Sequence, residues 1–395
     1  MHDFLTPRLR VLMLSTLFPD ASRPFLAPFV VRQAQALAAL PEIDLRVVAP
    51  LPMPPFPLSR HPRYAGRRGI PAHEVWEGLD VVRPRFNPWP LTGGRFSATA
   101  LAQAVTPVVS KIHKDQPFDV LAAQYFFPDG PAAVAIGDAL SIPVSIKARG
   151  SDIHYWGRKR ATARQVLEAG KAANGLLCVS EALRGDMVTL GMQRDRIMVH
   201  YTGVDLDAFP VRQRSSLKTA LGVSGKLIVC VGALIPRKGQ RLLLAALQNI
   251  PDAQLVLIGD GPDRAVLEAQ ARHLQIADRV RLTGALDHEQ VGLWLGAADV
   301  MALPSISEGL ANAWLEALSC GTPIVISSSG GAAEVLQDRQ AGRIASRSPS
   351  AFAQAICETL ENPPSPQACR EVAERFSWSR NAAELRDHLL LLTGK

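Results

Sequence analysis

The chain has 395 residues, 47% of them apolar, and a formal net charge of +7. That length suits two domains, and no apolar run approaches the roughly 20 residues needed to span a bilayer. The five cysteines, Cys178, Cys230, Cys320, Cys357 and Cys369, are scattered and include no Cys-x-x-Cys pair, which argues for reduced, packing thiols and against disulfides or zinc.

The start, Met-His-Asp-Phe-Leu-Thr-Pro-Arg-Leu-Arg, lacks a basic segment followed by a long apolar core, so no signal peptide is expected. Charge is unevenly placed. Residues 1–205 hold 24 Lys+Arg and 17 Asp+Glu, whereas residues 206–395 hold 19 of each. A basic half joined to a neutral half predicts that the first meets something anionic.

Residues 10–14 read as a first buried strand, 15–19 as a loop, 29–40 as a helix and 45–49 as a second strand. Strand, loop, helix, strand is the opening of a doubly wound α/β domain. Residues 50–96 differ. The run Pro50-Leu-Pro-Met-Pro-Pro-Phe-Pro-Leu argues against a helix or a central strand. Arg60, Arg63, Arg67 and Arg68 follow with no acid between them, and Tyr64, Trp76, Arg83, Arg85, Phe86, Trp89 and Arg95 share the region. Cations interleaved with aromatics suit an anionic membrane surface or a pyrophosphate-lipid acceptor. A long solvated loop is the plain alternative. Nucleic acid is not expected, because no recognised binding module accompanies the charge.

Residues 120–124 form a strand, 131–140 an Ala-rich helix, and 143–147 another strand that runs into Ala148-Arg-Gly-Ser-Asp152. A strand entering a Gly-containing loop with a charged pair lies where an α/β sheet places its ligands. Arg149 is a permanent cation and no base at pH 7. Asp152 is able to accept from an acceptor hydroxyl, or else forms a structural pair with Arg149. Strands at 176–180 and 197–200 complete this half, with a boundary expected near 205–225.

A strand at 227–231 opens a second α/β unit. It leads into Gly232-Ala-Leu-Ile-Pro-Arg-Lys-Gly239 and a helix with Leu242, Leu243, Ala246 and Leu247 inward. A glycine turn, the cations Arg237 and Lys238 and a helix start make a sensible anion site; an ordinary solvated pair is the alternative. Gly259-Asp-Gly261 lacks the G-x-G-x-x-G spacing and is a weak dinucleotide hint. The stretch 299–335 reads as strand, loop, helix over 309–318, and second strand. Glu308 and Glu316 stand eight residues apart, so on a helix they return to within roughly 80° of each other. The helix start between them offers unpaired N–H groups and the positive end of a dipole, a seat for a diphosphate. Paired glutamates on a helix are common, but Glu316 lies in a mostly apolar helix where a solvated charge is out of place. Such a seat between two acids suits a nucleotide sugar, with Glu316 on ribose hydroxyls and Glu308 on sugar hydroxyls. No cluster at metal-ligand spacing stands out, so no metal and no cofactor is expected.

The run Ser305-Ile-Ser-Glu-Gly-Leu-Ala-Asn-Ala-Trp-Leu-Glu-Ala-Leu-Ser-Cys-Gly-Thr-Pro-Ile-Val, followed by Gly330-Gly-Ala-Ala-Glu-Val335, resembles the E-x7-E signature of retaining glycosyltransferases of family 4. Residues 148–152 resemble that family's His-Gly-Ser-Asp motif with Arg149 in place of His. Residues 202–209 resemble its Asn-Gly-Val-Asp-x-x-x-Phe motif with Thr202 in place of Asn. Ala233 stands where the family has an early arginine, and the loop after the first strand lacks its glycine pair. The resemblance implies a GT-B fold, with two Rossmann-like doubly wound α/β domains facing across a cleft. Residues 1–205 would bind acceptor, with 50–96 as an insertion. Residues 206–375 would bind donor, and 376–395 would form a helix crossing back to the first domain.

It implies catalytic roles for Lys238, Arg237, Glu308 and Asp152, and donor contacts from Glu316, Gly309, Leu310, Ala311, Asn312 and Leu286. Arg149 and Ser151 would stand on the acceptor side. The implied activity is retaining transfer, a UDP-sugar favoured, to a saccharide or lipid-linked acceptor in cell-surface polysaccharide synthesis. It is expected in the cytoplasm or on the inner membrane face, with 50–96 as the contact. A nucleotide-sugar epimerase or hydrolase and a non-catalytic nucleotide-sugar-binding protein are the rivals.

Overall fold

The computed structural model describes residues 8–24, 26–337 and 340–394. The first seven residues, read above for a leader, lie outside these, as does the side chain of Arg63. The chain divides into two compact units, Met1–Gly203 with Trp378–Lys395, and Val204–Ser377.

Among the described residues of the first unit ten strands form: β1 (Leu9–Leu14), β2 (Ile43–Val48), β3 (Leu51–Pro52), β4 (His73–Trp76), β5 (Leu79–Val82), β6 (Arg85–Phe86), β7 (Val120–Ala123), β8 (Val144–Ala148), β9 (Gly175–Cys178) and β10 (Ile197–Val199). Eight of them make one sheet in the order β10-β9-β8-β7-β1-β2-β5-β4. All its pairings are parallel except β4 with β5. A parallel sheet covered by helices on both faces needs strands that are apolar on both sides. β7 is Val-Leu-Ala-Ala and every residue of it is buried. Met13 pairs with Val47, and Val47 with Val81, so the register stacks one apolar row across three strands. The helix Pro28–Ala38 starts with a proline, whose missing N–H costs nothing there, and turns Val30, Val31, Ala34 and Leu37 into this core. Leu385 and Leu389 of the final helix Trp378–Thr393 enter the same core. Arg386 of that helix pairs with Glu42 at 2.6 Å.

The proline run at 50–58 was expected to hold no helix or central strand, and it carries only the two-residue β3, paired with β6. Further on, β4 and β5 form a hairpin that extends the main sheet. Its turn is Glu77-Gly78, both with positive φ (47° and 84°). The alternation in His-Glu-Val-Trp and Leu-Asp-Val-Val around that glycine was the available signal.

The second unit holds β11 (Lys226–Val231), β12 (Ala253–Ile258), β13 (Val280–Gly284), β14 (Val300–Leu303), β15 (Ile324–Ser327) and β16 (Gly342–Ala345). They form a parallel sheet in the order β13-β12-β11-β14-β15-β16. Counted from its first strand this is 3-2-1-4-5-6, the doubly wound dinucleotide-type order. The strand order reverses between β11 and β14. Ligands of such sheets bind outside the carboxyl ends of the strands at that switch point.

Candidate active site

Two loops leave the sheet at the switch of the second unit, 232–239 after β11 and 304–311 after β14. They are fastened to each other by backbone. A Cβ on Gly239 would lie 2.4 Å from the Pro304 carbonyl oxygen, and Gly239 has φ +78°, so only glycine fits there. Ile306 N–H donates to the Arg237 carbonyl at 2.8 Å, and the Arg237 guanidinium donates to the Ser307 carbonyl at 2.5 Å. The side chains converge as well. Lys238 Nζ donates to Glu308 Oε1 at 2.6 Å, and Arg237 Nη1 stands 3.6 Å from Glu308 Oε2. Lys238 and Glu308 are mostly buried, whereas Arg237 is half-exposed.

The helix that follows is Asn312–Ser319, three residues later than the spacing suggested. Residues 309–311 are not helical, so the helical angle between Glu308 and Glu316 does not apply. What brings Glu308 to the site is its pair with Lys238. The amides of Gly309, Leu310, Ala311 and Asn312 have no acceptor among the described residues. They face the usual need of a helix start for an external partner. The 329–331 loop braces this segment from outside, with Gly331 N–H on the Gly309 carbonyl at 2.8 Å. A Cβ on Gly330 would strike the Glu308 carbonyl at 2.3 Å. Leu286 lies just past the carboxyl end of β13, at the same edge of the sheet, and its backbone groups are likewise unpartnered among the described residues.

The Glu316 side chain has no hydrogen-bond or ion-pair partner among the described residues, and desolvation raises its carboxyl from 4.5 to about 7. A raised acid is favoured protonated by folding. That stabilisation is complete below pH 4.5 and is lost as pH rises through about 7. The unfolding free energy of the wild type relative to Glu316→Gln should therefore fall by up to roughly 3 kcal/mol across that window. Urea melts of the nucleotide-free protein at pH 4.5 and pH 8 check this; a pH-independent difference counts against it.

In the first unit the carboxyl end of β8 carries Arg149, Ser151 and Asp152. Ser151 is exposed, and its Oγ bonds to Tyr125 Oη at 2.9 Å. Arg149 lays its guanidinium over the Phe29 ring at 4.9 Å and donates to Gln33 Oε1, Gln124 Oε1 and the Gln124 carbonyl. Burial pulls it down to about 9. Asp152 is fully buried and accepts from the backbone N–H groups of Phe126, Arg149, Gly150 and Ile153, at 2.8–3.1 Å.

Two family models match successive stretches of the chain. "Glycosyltransferase Family 4" covers residues 27–208 and "Glycosyl transferases group 1" covers residues 212–376. The chain belongs to glycosyltransferase family 4. Among relatives of this family 4 glycosyltransferase is TuaC of Bacillus subtilis, described provisionally as a teichuronic acid biosynthesis glycosyltransferase. It is 26% identical over 88% of each chain. A GDP-mannose-dependent phosphatidylinositol monomannoside mannosyltransferase of Mycolicibacterium smegmatis is 34% identical over 36% of this chain and 41% of its own length. Among solved structures, the sucrose-phosphate synthase of Thermosynechococcus elongatus superposes with a TM-score of 0.78 at 20% identity, covering 98% of this chain and all of that one. The two Rossmann-like units make the GT-B fold of these neighbours.

Two sequence readings of the family 4 chain change here. Asp152, expected to accept from an acceptor hydroxyl, spends both oxygens on backbone N–H groups and touches no solvent. Nor do Arg149 and Asp152 form a side-chain pair; only the Arg149 N–H meets the carboxylate. The arginines of 50–96 also divide. Arg83 is buried against Phe18 and Trp76, ion-paired with Glu74 and bonded to the Pro19 carbonyl. Arg67 donates to the Pro52 carbonyl, and Arg85 to the Arg68 and Ile70 carbonyls. Arg60, Arg68 and Arg95 stay exposed.

Sequence reading missed the polar groups at the switch of the first sheet, between β1 and β7. Asp129 there accepts from Thr16 N and Thr16 Oγ1 at 2.9 and 2.7 Å, and burial raises it to about 7. Its only cue was Tyr-Phe-Phe-Pro-Asp-Gly after a strand, which reads as a turn.

Proposed function

We propose that this family 4 glycosyltransferase transfers a sugar, with retention, from a UDP-sugar to a saccharide or lipid-linked acceptor of a cell-surface polysaccharide. The observation that carries the donor half is the convergence of Lys238, Arg237 and four unpartnered amides on the switch point of a doubly wound sheet. A nucleoside diphosphate seated there meets two cations and a helix N-terminus. Glu316, half-buried and with its side chain unpartnered among the described residues, accepts from ribose hydroxyls, and the Leu286 backbone meets the base. Glu308 takes sugar hydroxyls once the donor competes for Lys238.

In the proposed step the bond from the anomeric carbon to the β-phosphate oxygen breaks as the acceptor oxygen bonds to that carbon on the same face. The acceptor proton passes to the departing phosphate. Charge growing on that phosphate is met by Lys238, Arg237 and the amides, so the proposal asks for no metal or cofactor. Arg149 and Ser151 position the acceptor. Similarity to TuaC over most of both chains supports a surface-polysaccharide acceptor. The proposal includes peripheral contact with an anionic membrane face through 50–96, while no helix among the described residues is long and apolar enough to cross a membrane.

A thermal-shift screen of UDP-, GDP- and ADP-sugars tests the donor. A ligand at 100 times its Kd stabilises the folded state by about 2.7 kcal/mol, so a UDP-sugar should raise Tm by several degrees. A shift with GDP-mannose alone would replace the base and sugar. Free sugar released without acceptor would favour a hydrolase.

A further inference from the structure

We propose that the first unit holds a headgroup site for anionic lipid, beside an apolar wedge that enters the bilayer surface. This rests on the membrane-contact part of the proposed function and not on its transfer chemistry. The site is a cavity of about 760 Å3 in which Arg95, Arg160 and Arg164 surround a floor that includes Pro131, Val134 and Ala169. All three arginines are exposed, and none has a carboxylate within 4.0 Å among the described residues. Glu168 also reaches the wall, but it is paired with Lys171 at 3.5 Å rather than with Arg164 four residues before it. Three unspent guanidinium groups over an apolar floor match a phosphate that carries hydrocarbon.

The wedge is the loop 88–97. Trp89 is 51% exposed, Leu91 104% and Phe96 48%. The Trp89 and Phe96 rings meet edge to face at 6.4 Å. Trp89 and Leu91 hold positive φ, 46° and 70°, a conformation that non-glycine residues seldom adopt. The loop closes on itself through Thr92 Oγ1 to the Trp89 carbonyl at 2.7 Å. It is tied to the cavity by Gln165 Nε2, which donates to the Arg95 carbonyl at 3.0 Å. Lys159 stands beside Gly93 and lies over the rings of Tyr155 and Trp156 at 5.1 and 4.9 Å. Tyr155 is itself exposed.

Aromatic side chains next to cations, with a fully exposed leucine between them, are the composition that settles at a membrane–water boundary. An acidic peptide would use the cations and leave the wedge in water. The arginines after the Pro-rich run contribute less, since Arg67, Arg83 and Arg85 are bonded within the unit.

The test is co-sedimentation of the full chain with phosphatidylcholine vesicles, with and without phosphatidylglycerol. Binding is expected to the anionic vesicles and to weaken with salt. Combining Arg95→Gln, Arg160→Gln and Arg164→Gln should weaken it roughly hundredfold. Trp89→Ser with Leu91→Ser should weaken it separately, with Tm and nucleotide affinity unchanged in both variants. Lys238→Met, expected to lower turnover, should bind vesicles normally. Equal binding to neutral and anionic vesicles, no binding, or a triple variant that binds like the wild type would each overturn the proposal. So would stabilisation by inorganic phosphate or polyglutamate without vesicle binding.

Discussion

Lys238→Met should lower kcat by about 10²–10³-fold while changing donor affinity much less, as for loss of one preorganised donor to a developing oxyanion. Before donor arrives, Lys238 is held 2.6 Å from Glu308 in a largely buried setting. Breaking a buried pair by removing one partner costs about 3–5 kcal/mol, because the other charge stays behind. Here the cost should fall below that range, since Arg237 remains 3.6 Å from the same carboxylate. Stability loss and lost turnover must therefore be separated.

Pairing the change with Glu308→Gln does this. In the double variant no buried charge is left uncompensated, because the remaining cation, Arg237, is half-exposed, so Tm should recover most of its loss. Turnover per folded molecule should not recover, because no cation replaces the Lys238 ammonium at the leaving phosphate. If the double variant regained both, Lys238 would be a structural partner of Glu308 and no more. If Lys238→Met alone kept normal kcat, the leaving-group role would have to move to Arg237.

The reason the meeting of Arg237, Lys238 and Glu308 was largely legible is local. Arg237, Lys238, Glu308 and Glu316 lie on two short segments, each directly after a strand, and a doubly wound sheet places such segments at one edge whatever the side-chain detail. The helix boundary was misplaced because Gly309-Leu310-Ala311 has acceptable helix composition. What unwinds it is tertiary, the 329–331 loop pressed against the Glu308 and Gly309 carbonyls. The first unit was less legible for a related reason. Arg83 looks like a surface cation in a basic run, and only the position of Phe18, Pro19 and Glu74 makes it a buried post. Lys147 reads as part of an apolar strand, yet its Nζ meets His200 Nδ1 at 2.9 Å, and burial lowers both groups. Partners 53 residues away leave no local pattern. The motif pointed to Asp152 but not to its backbone N–H partners, because a motif marks a position and not its neighbours.

Asp152→Ala should therefore be chiefly a stability variant. The carboxylate accepts from four backbone N–H groups at 0% exposure, and each buried donor left without a partner costs about 1–3 kcal/mol. Partial relaxation and entering water reduce the sum, so a loss of several kcal/mol is expected, enough to unfold a domain of ordinary marginal stability. Burial raises the carboxyl and the N–H donors pull the other way, so removing the donors' target does not simply relieve a buried charge. Asp152→Asn keeps the size and one acceptor oxygen, but turns an NH2 group towards donors, and should fall between. The decisive readout is activity per folded molecule of Asp152→Asn at low temperature. A value within a few-fold of wild type, with a depressed Tm, fits a carboxylate that shapes the 149–153 turn and so places Arg149 and Ser151. A loss of about 10²-fold or more with Tm unchanged, the size expected for general acid–base work, would return Asp152 to direct contact with the reacting hydroxyl.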